Sequence, residues 1–462
     1  MTGLQLVSIM EHDNEHRSFH IADQPFIGGR QRTSTEGTTT SPGSVRRNRT
    51  SKRPQPMTHP NRGPRSTDHM LSNVDERWFI LAVLFLARTA MGFQFQAVAA
   101  LSSSVVTVFN IDYTQLGLLI GLYLFPGIVI AYPGGLLGQY FGDKRIAAFG
   151  MALMVAGGLL TATEGYPVVL AGRLISGVGA ALLNVLLTKM TIDWFIGREI
   201  GTALAVLVSS WPVGIGVALV TLPWLAANTS AATGFAGTAA VAALVLVLVV
   251  AVYRAPPAAG LLQPSNRQER PRLSLGEFSL VSLAGGVWMF FNVGYILILS
   301  FGPALLVSNG LSQADAGLMT SLVAWTIIIT IPLGGVLIDQ IGHATTLMIA
   351  SFAAFGFSAM LVATAPSPAL MMFIGGVAGL PAGAMMVLPG EVLRSQNRGA
   401  GMGVFYTWYY AGMALLTPAA GILRDVSDRP GAPLFLAGAL ELAALAVLLL
   451  FRLSQRRFRT MS

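Results

Sequence analysis

The sequence predicts an all-α membrane protein: twelve transmembrane helices arranged as two six-helix repeats. Three observations predict it. Of the 462 residues, 53% are hydrophobic and 11% charged, whereas soluble domains carry roughly a quarter charged residues. From Trp78 onward, apolar runs of roughly 18 to 28 residues follow one another, each long enough to cross about 30 Å of hydrocarbon as a helix. A glycine pattern also recurs. "GGLLGQYFGDKR" at Gly134 to Arg145 aligns without a gap with "GGVLIDQIGH" at Gly334 to His343, so that Gly135 matches Gly335 and Gly142 matches Gly342, 200 positions apart.

The elements follow in order. Residues 1–75 are rich in Ser, Thr, Arg, Pro and Gly and cannot bury a core, so they read as a disordered cytoplasmic tail. Residues 1–77 hold 11 of the 29 Lys+Arg and 8 of the 21 Asp+Glu, which leaves the following 385 almost stripped of charge. Seven basic residues and no acid lie between Arg46 and Arg65. That run is either a polybasic segment attracted to anionic lipid or an upstream extension, with Met57 or Met70 as the true first residue. It has no apolar h-region and does not read as a secretory signal. The predicted spans are 78–106, 114–138, 146–163, 167–190, 201–226 and 231–253, then 278–307, 314–338, 345–365, 368–390, 400–423 and 433–451. The runs do not alternate, and only closed barrels and helices satisfy their backbone in lipid, so these are helices. Spans 1–6 form a bundle over 76–253. A basic cytoplasmic linker, 254–277, leads to a second bundle over 278–452 and a cytoplasmic tail over 453–462. The second bundle is a copy of the first, and Gly117 with Gly317, Leu118 with Leu318 and Arg198 with Arg398 add to the glycine repeat.

Loop charges orient the bundle. One set of connections holds Asp143-Lys144-Arg145, Arg198, Arg254, Arg267, Arg270, Arg272, Arg394 and Arg398, and the tail adds Arg452, Arg456, Arg457 and Arg459. The opposite connections, "NIDYTQ", "TEGYP", "ANTSAATG", "VSNGLSQAD" and "APSPA", have no Lys or Arg. Only Arg424 and Arg429 fall on the wrong side. Both termini are therefore expected to be cytoplasmic, with the chain in an inner (plasma) membrane. The same bias explains the net charge of +8. No nucleic-acid-binding pattern accompanies it, so no nucleic-acid partner is expected.

With no cysteine, disulfides, thiolate catalysis and cysteine-ligated metals are excluded. Five of the six histidines lie in the tail and His343 lies in a loop, so no histidine relays protons within the membrane. No nucleophile–base pair, metal-ligand spacing or Walker A loop stands out. An enzyme, a cofactor and an ATP-driven pump are not expected.

These features resemble the major facilitator superfamily (MFS) over residues 78–452. The family's loop pattern, Gly-x-x-x-Asp-Arg-x-Gly-Arg-Lys, appears after span 2 as Gly135, Gly138, Gln139, Gly142, Asp143, Lys144 and Arg145. After span 8 it appears as Gly335, Asp339, Gly342 and His343. Arg-x-x-x-Gly-x-Gly of span 4 appears as Arg173, Gly177 and Gly179. The resemblance implies the MFS fold, alternating access, a cavity lined by spans 1, 4, 7 and 10, and gating by the paired loops. Glycines there let span 2 approach span 11 and span 8 approach span 5, and the loop carboxylate can face a helix N-terminus. Gln139 keeps hydrogen-bonding capacity and loses charge, so the first loop is expected to latch more weakly and Asp339 to retain the contact. A weaker resemblance, to the cyanate and nitrate/nitrite porter branches, rests on "TKMTIDWFIGRE" after span 4. Spans 2 and 8 lack the arginines that nitrate porters place there, which argues for a small organic anion.

Charged side chains deep in a membrane are costly and mark sites. Arg88 lies near the middle of span 1, with Gly92 and Gln96 following on its face at i+4 and i+8. A guanidinium beside an amide is a natural anion clamp. Arg173 sits in the outer part of span 4. Lys189 is expected to snorkel, and Glu441, mid-span 12, to be a satisfied buried acid. Asp112, Glu164, Asp193, Glu199, Glu277, Asp315, Asp339 and Glu391 fall at ends or loops. A net positive cavity favours an anionic or neutral polar solute over a cationic drug. Its polar and aromatic candidates are Trp288, Asn292 and Tyr295 on span 7 (i, i+4, i+7), Tyr406 and Tyr410 on span 11 beside Trp408, Asn184 on span 4 and Trp325 on span 8. Pro126, Pro212, Pro332 and Pro418 are expected to bend their helices.

The expected function is secondary active or facilitative transport of a small anionic solute by alternating access. The partners are that solute, the bilayer, and a proton or counter-anion as coupling candidates. One alternative is an exporter of neutral hydrophobic compounds, which would tolerate Arg88→Ala. Another is a non-transporting sensor, which would lose signalling on deletion of residues 1–69.

Overall fold

A computed structural model describes residues 67–195, 199–256, 273–394 and 397–461. The tail before residue 67, Arg198 and linker residues 257–272 lie outside the described residues. In the first half, α1 (Thr67–Ala100) and α2 (Ser102–Phe109) form span 1, and α3 (Tyr113–Leu122) and α4 (Gly127–Phe141) form span 2. Spans 3–6 are α5 (Asp143–Thr161), α6 (Tyr166–Phe195), α7 (Ile200–Asn228) and α8 (Ala231–Val252). In the second half, spans 7–9 are α9 (Leu275–Ser308), α10 (Gln313–Ile341) and α11 (Ala344–Val362). Span 10 is α12 (Pro368–Gly379) with α13 (Ala382–Val387), and spans 11 and 12 are α14 (Arg398–Ser427) and α15 (Ala432–Met461).

Eleven stretches among the described residues are long and apolar enough to cross a membrane, against twelve expected. The difference is span 11. Its 30 residues would reach about 45 Å as a helix, but three tyrosines interrupt its apolar run and Arg424 and Asp425 sit near its end. A helix that faces a polar chamber gives up all-round hydrophobicity.

Within the first half, spans 3 and 4, 1 and 5, 3 and 6, and 1 and 6 pack together; within the second, spans 7 and 12, 7 and 11, 8 and 10, and 9 and 12 do so. The halves meet where span 2 crosses span 11, span 8 crosses span 5 and span 1 passes span 7. The first two crossings exchange under the 200-residue shift, and so do their glycines. A methyl group on Gly117 would lie 2.6 Å from the carbonyl oxygen of Thr417, and one on Gly317 would lie 2.1 Å from that of Leu219. Without a hydrophobic drive inside lipid, such close backbone contact is what holds helices together. Gly317→Ala is expected to cost about 1–3 kcal/mol through overpacking, read as earlier thermal unfolding in detergent. Gly335→Ala is the control: nothing lies within 4 Å of the added methyl, and no shift is expected.

Paired polar ties repeat the symmetry. Arg77, before span 1, bonds Glu199 at 3.0 Å at the start of span 5. Glu277, 200 positions after Arg77, starts span 7, accepts from Asn397 at 2.9 Å and from the Arg394 backbone at 3.2 Å, and so ties span 7 to the start of span 11. Glu277 also closes a capping box with Ser274, and Asp112 does so with Gln115 at span 2.

Pro126 marks the break between α3 and α4, but Pro212, Pro332 and Pro418 lie inside unbroken helices. The break in span 10 falls instead at Leu380 and Pro381. Neighbouring helices supply the packing that keeps a proline-bearing helix continuous in a membrane.

Candidate functional site

Arg88 is the thirteenth residue of the 25-residue stretch Glu76–Ala100, at the centre of the bilayer-sized segment. Its side chain is partly exposed, its Nε is enclosed, and it makes no hydrogen bond or ion pair among the described residues. What lies within electrostatic reach is a cluster of tyrosines on span 11, Tyr406, Tyr409 and Tyr410. Their spacing, i, i+3 and i+4, puts all three on one helical face. Ring centroids of Tyr406 and Tyr409 lie 6.5 Å apart, and those of Tyr409 and Tyr410 5.0 Å apart, both edge-to-face. Asn184 on span 4 donates to the Tyr410 hydroxyl at 3.1 Å.

Trp288 closes the cage from span 7. It stacks on Phe405 at 6.0 Å and meets Tyr409 at 6.4 Å. Its Nε1–H is buried with no acceptor. Trp288 stands 200 positions after Arg88, so the two repeats present a cation and an indole donor from equivalent places. The chamber is an unpaired positive charge in an aromatic box, with a spare N–H donor and a tethered hydroxyl.

Of the residues expected from sequence, Arg88, Asn184, Trp288, Tyr406 and Tyr410 come together. Tyr409 and Phe405 were not singled out; the 3.6-residue period from Tyr406 points to Tyr409. Asn292 is partly exposed but donates to the carbonyl of Trp288 one turn back, at 2.7 Å. Tyr295 is buried, and its hydroxyl has no partner. Trp325 lies against Gly216 at the crossing of spans 8 and 5.

Two expected contacts are corrected. Gln96 is fully buried and donates to the Leu299 carbonyl at 2.7 Å, so it ties span 1 to span 7 in the closed part of the interface. Arg173 is 1% exposed. Its Nε donates to Leu119 O at 2.9 Å, its Nη1 to Gln94 O at 2.9 Å and its Nη2 to Phe95 O at 3.0 Å, while the guanidinium covers the Tyr123 ring at 4.6 Å. Each of its three nitrogens donates to spans 1 and 2, and its burial keeps it away from a solute.

Asp339 does not retain the contact expected of the second loop, and the Gln139 side chain lies outside the described residues. Asp143 opens span 3 within its first turn, where the helix dipole favours an acid, and it binds Lys189 of span 4. Lys189 also donates to Asp193 at 2.9 Å, so it is a clamped cation and does not snorkel. In the second copy, Asp339 is exposed and has no partner among the described residues. The Asp143–Lys189–Asp193 cluster has no copy in the second half, since the places 200 residues on are His343, Pro389 and Leu393. Gly142 and Gly342 share positive φ, 91° and 69°, the backbone form that favours glycine. Lys144 is partly exposed and Arg145 exposed. The Gly135 and Gln139 side positions lie outside the described residues; Gly335 has open space around it.

Glu441 is also corrected. It is completely buried, and neither carboxylate oxygen has a hydrogen-bond partner, so it is not a satisfied acid.

Polar ties between the halves cluster at the end away from the basic loops. Asp425 accepts from the backbone of Tyr113 at 3.1 Å and of Thr114 at 2.7 Å, and Arg424 stacks on Tyr113. Ser104 and Gln313 meet at 2.9 Å. Arg424 thus serves an interhelix contact, which accounts for its breach of the loop-charge pattern. At the basic end, the ties through Lys189, Glu277 and Glu391 each join parts of one half.

A family model described as the Major Facilitator Superfamily matches residues 80–304 and again 283–459. The lysosomal dipeptide transporter MFSD1 of Danio rerio is 25% identical over 400 residues, covering 80% of this chain and 86% of that protein. The 3-(3-hydroxy-phenyl)propionate transporter of Escherichia coli (strain K12) is 28% identical over 311 residues, covering 65% of this chain and 74% of that one. Among solved structures, the inward open conformation of the xylose transporter XylE from E. coli superposes with a TM-score of 0.68 at 17% identity, over 80% of this chain and 95% of that one. At that identity the likeness is one of fold.

Proposed function

Since the chain belongs to the Major Facilitator Superfamily, we propose that it moves a small organic carboxylate across the membrane through the chamber between its halves, by alternating access. One observation carries this reading: Arg88 stands at mid-membrane with no counter-charge among the described residues. A cation there costs about 2.5–3.5 kcal/mol even on insertion scales. A carboxylate solute is the missing partner, and a guanidinium binds it through paired N–H donors. Trp288 and Tyr409 offer ring faces to the organic part, worth about 0.5–1.5 kcal/mol per aromatic pair beyond area burial. The names of two relatives agree in chemistry, since a phenylpropionate and a dipeptide each carry a carboxylate. With the basic loops on the cytoplasmic side of a plasma membrane, the described conformation is closed outward. Opening outward then requires the Asp425–Thr114 and Gln96–Leu299 ties to break.

The test uses purified protein in liposomes and counterflow of 3-(3-hydroxyphenyl)propionate, a dipeptide, and the neutral amide of each. Exchange of an acid but not of its amide supports the reading. Equal exchange of acid and amide overturns the carboxylate requirement and favours a porter of neutral solutes.

A further inference from the structure

Span 12 carries an acid that the solute chamber does not use. Glu441 is the tenth residue of Ala432–Met461, about 14 Å along the helix from its start. None of its surface is exposed, and neither oxygen meets a donor or a cation. It is seated in a notch of span 7. A methyl group on Gly294 would lie 2.5 Å from Glu441 Oε1 and 3.1 Å from the Ala437 carbonyl, so glycine is the residue that lets the carboxyl fit. Span 7 is also the helix that presents Trp288 to the chamber, six residues earlier.

The charges around it are all engaged elsewhere. On span 7, Glu277 is tied at the basic end to Asn397 and Arg394, and the Tyr295 hydroxyl makes no hydrogen bond to Glu441. Span 9, Ala344–Val362, has no titratable side chain. On span 11, Tyr406, Tyr409 and Tyr410 surround Arg88, Arg398 lies in the first turn, and Arg424 and Asp425 engage span 2 at the far end. On span 12 itself, Arg452 binds Glu391, and Arg456 and Arg457 lie beyond it. An ionised carboxylate in such a place would be an uncompensated buried charge, whereas the neutral acid is tolerated.

We propose that Glu441 is a proton-binding site, occupied in the conformation described here and emptied to water at another stage of the transport cycle, so that a proton travels with the solute. The chemistry is one O–H bond broken and one formed, with no redox partner. Proton binding stands on the burial alone; the coupling rests on the transport reading above.

The experiment has two arms on the full-length protein. The first is the infrared carboxylic-acid C=O band at neutral pH in detergent. The wild type is expected to show a band that Glu441→Gln removes; where that variant does not fold, Glu441→Asp is expected to shift it. A spectrum in which neither substitution changes the band overturns the proposal. The second is liposome uptake of 3-(3-hydroxyphenyl)propionate under an imposed pH gradient, with protein-free liposomes as blank. For one proton per monoanion the wild type is expected to accumulate about tenfold per pH unit. Glu441→Gln is expected to keep counterflow and lose accumulation. Wild-type accumulation by Glu441→Gln makes Glu441 a structural acid and overturns the coupling. A wild type that moves no probe refutes the carboxylate reading for that solute, and the infrared band still decides the proton site.

Discussion

Arg88→Ala protein is expected to unfold no earlier than the wild type and to lose carboxylate transport. The two halves of this result have one cause. Arg88 makes no hydrogen bond or ion pair among the described residues, so its removal breaks nothing in the empty protein and relieves a desolvated charge. Function then opposes stability at this position, as it does at many binding sites. A charged hydrogen-bond partner lost from a solute costs about 1.5–3 kcal/mol, or roughly 10- to 150-fold in affinity. Thermal unfolding with and without 3-(3-hydroxyphenyl)propionate checks both halves, because a ligand stabilises the state it binds. The wild type is expected to gain thermal stability with the acid and Arg88→Ala to gain none. Arg88→Lys keeps the charge without the planar fork and is expected to fall between. An Arg88→Ala protein that unfolds well before the wild type, yet is stabilised by the acid as much, would make Arg88 a packing residue.

Depth, period and repeat were legible in the chain; satisfaction was not. Run lengths placed the spans, and the 200-residue glycine register announced two related halves. Arg88 and Glu441 stood out because a charge in an apolar run is visible in any sequence. Whether such a charge has a partner depends on other helices. Arg173 looks like Arg88 in sequence, but the carbonyls that hold it come from residues 54 to 79 positions away. Gln96 has the right face and depth for a solute contact, yet Leu299, 203 positions on, takes its amide. The empty place around Glu441 follows from span 9 lacking any titratable group and from span 11 turning its charges elsewhere. The loss of the Lys189 clamp from the second half was readable, by contrast, since Pro389 occupies the equivalent place. Tyr409 was equally within reach of the helical period.

Arg173 is where the opposite result is expected. Each of its three nitrogens donates to a carbonyl, of Gln94 and Phe95 in span 1 and of Leu119 in span 2, and Tyr123 lies under its guanidinium while donating to Met91 O at 3.1 Å. One side chain of span 4 thus joins three helices of the first half. Alanine there leaves carbonyl oxygens orphaned in a dry interior, each costing about 1–3 kcal/mol when unmet, so a net loss of about 2–5 kcal/mol is expected after relaxation. Lysine is expected to recover little, because a compact ammonium cannot span three carbonyls on two helices. The second half has no equivalent clamp, since the matching position is Phe373, and the damage is therefore confined to spans 1, 2 and 4. Hydrogen exchange is expected to rise in those spans for Arg173→Ala, with spans 7 to 12 unchanged and the carboxylate affinity of the remaining folded protein intact. An Arg173→Ala protein that keeps its unfolding temperature but no longer binds the acid would return Arg173 to the solute site.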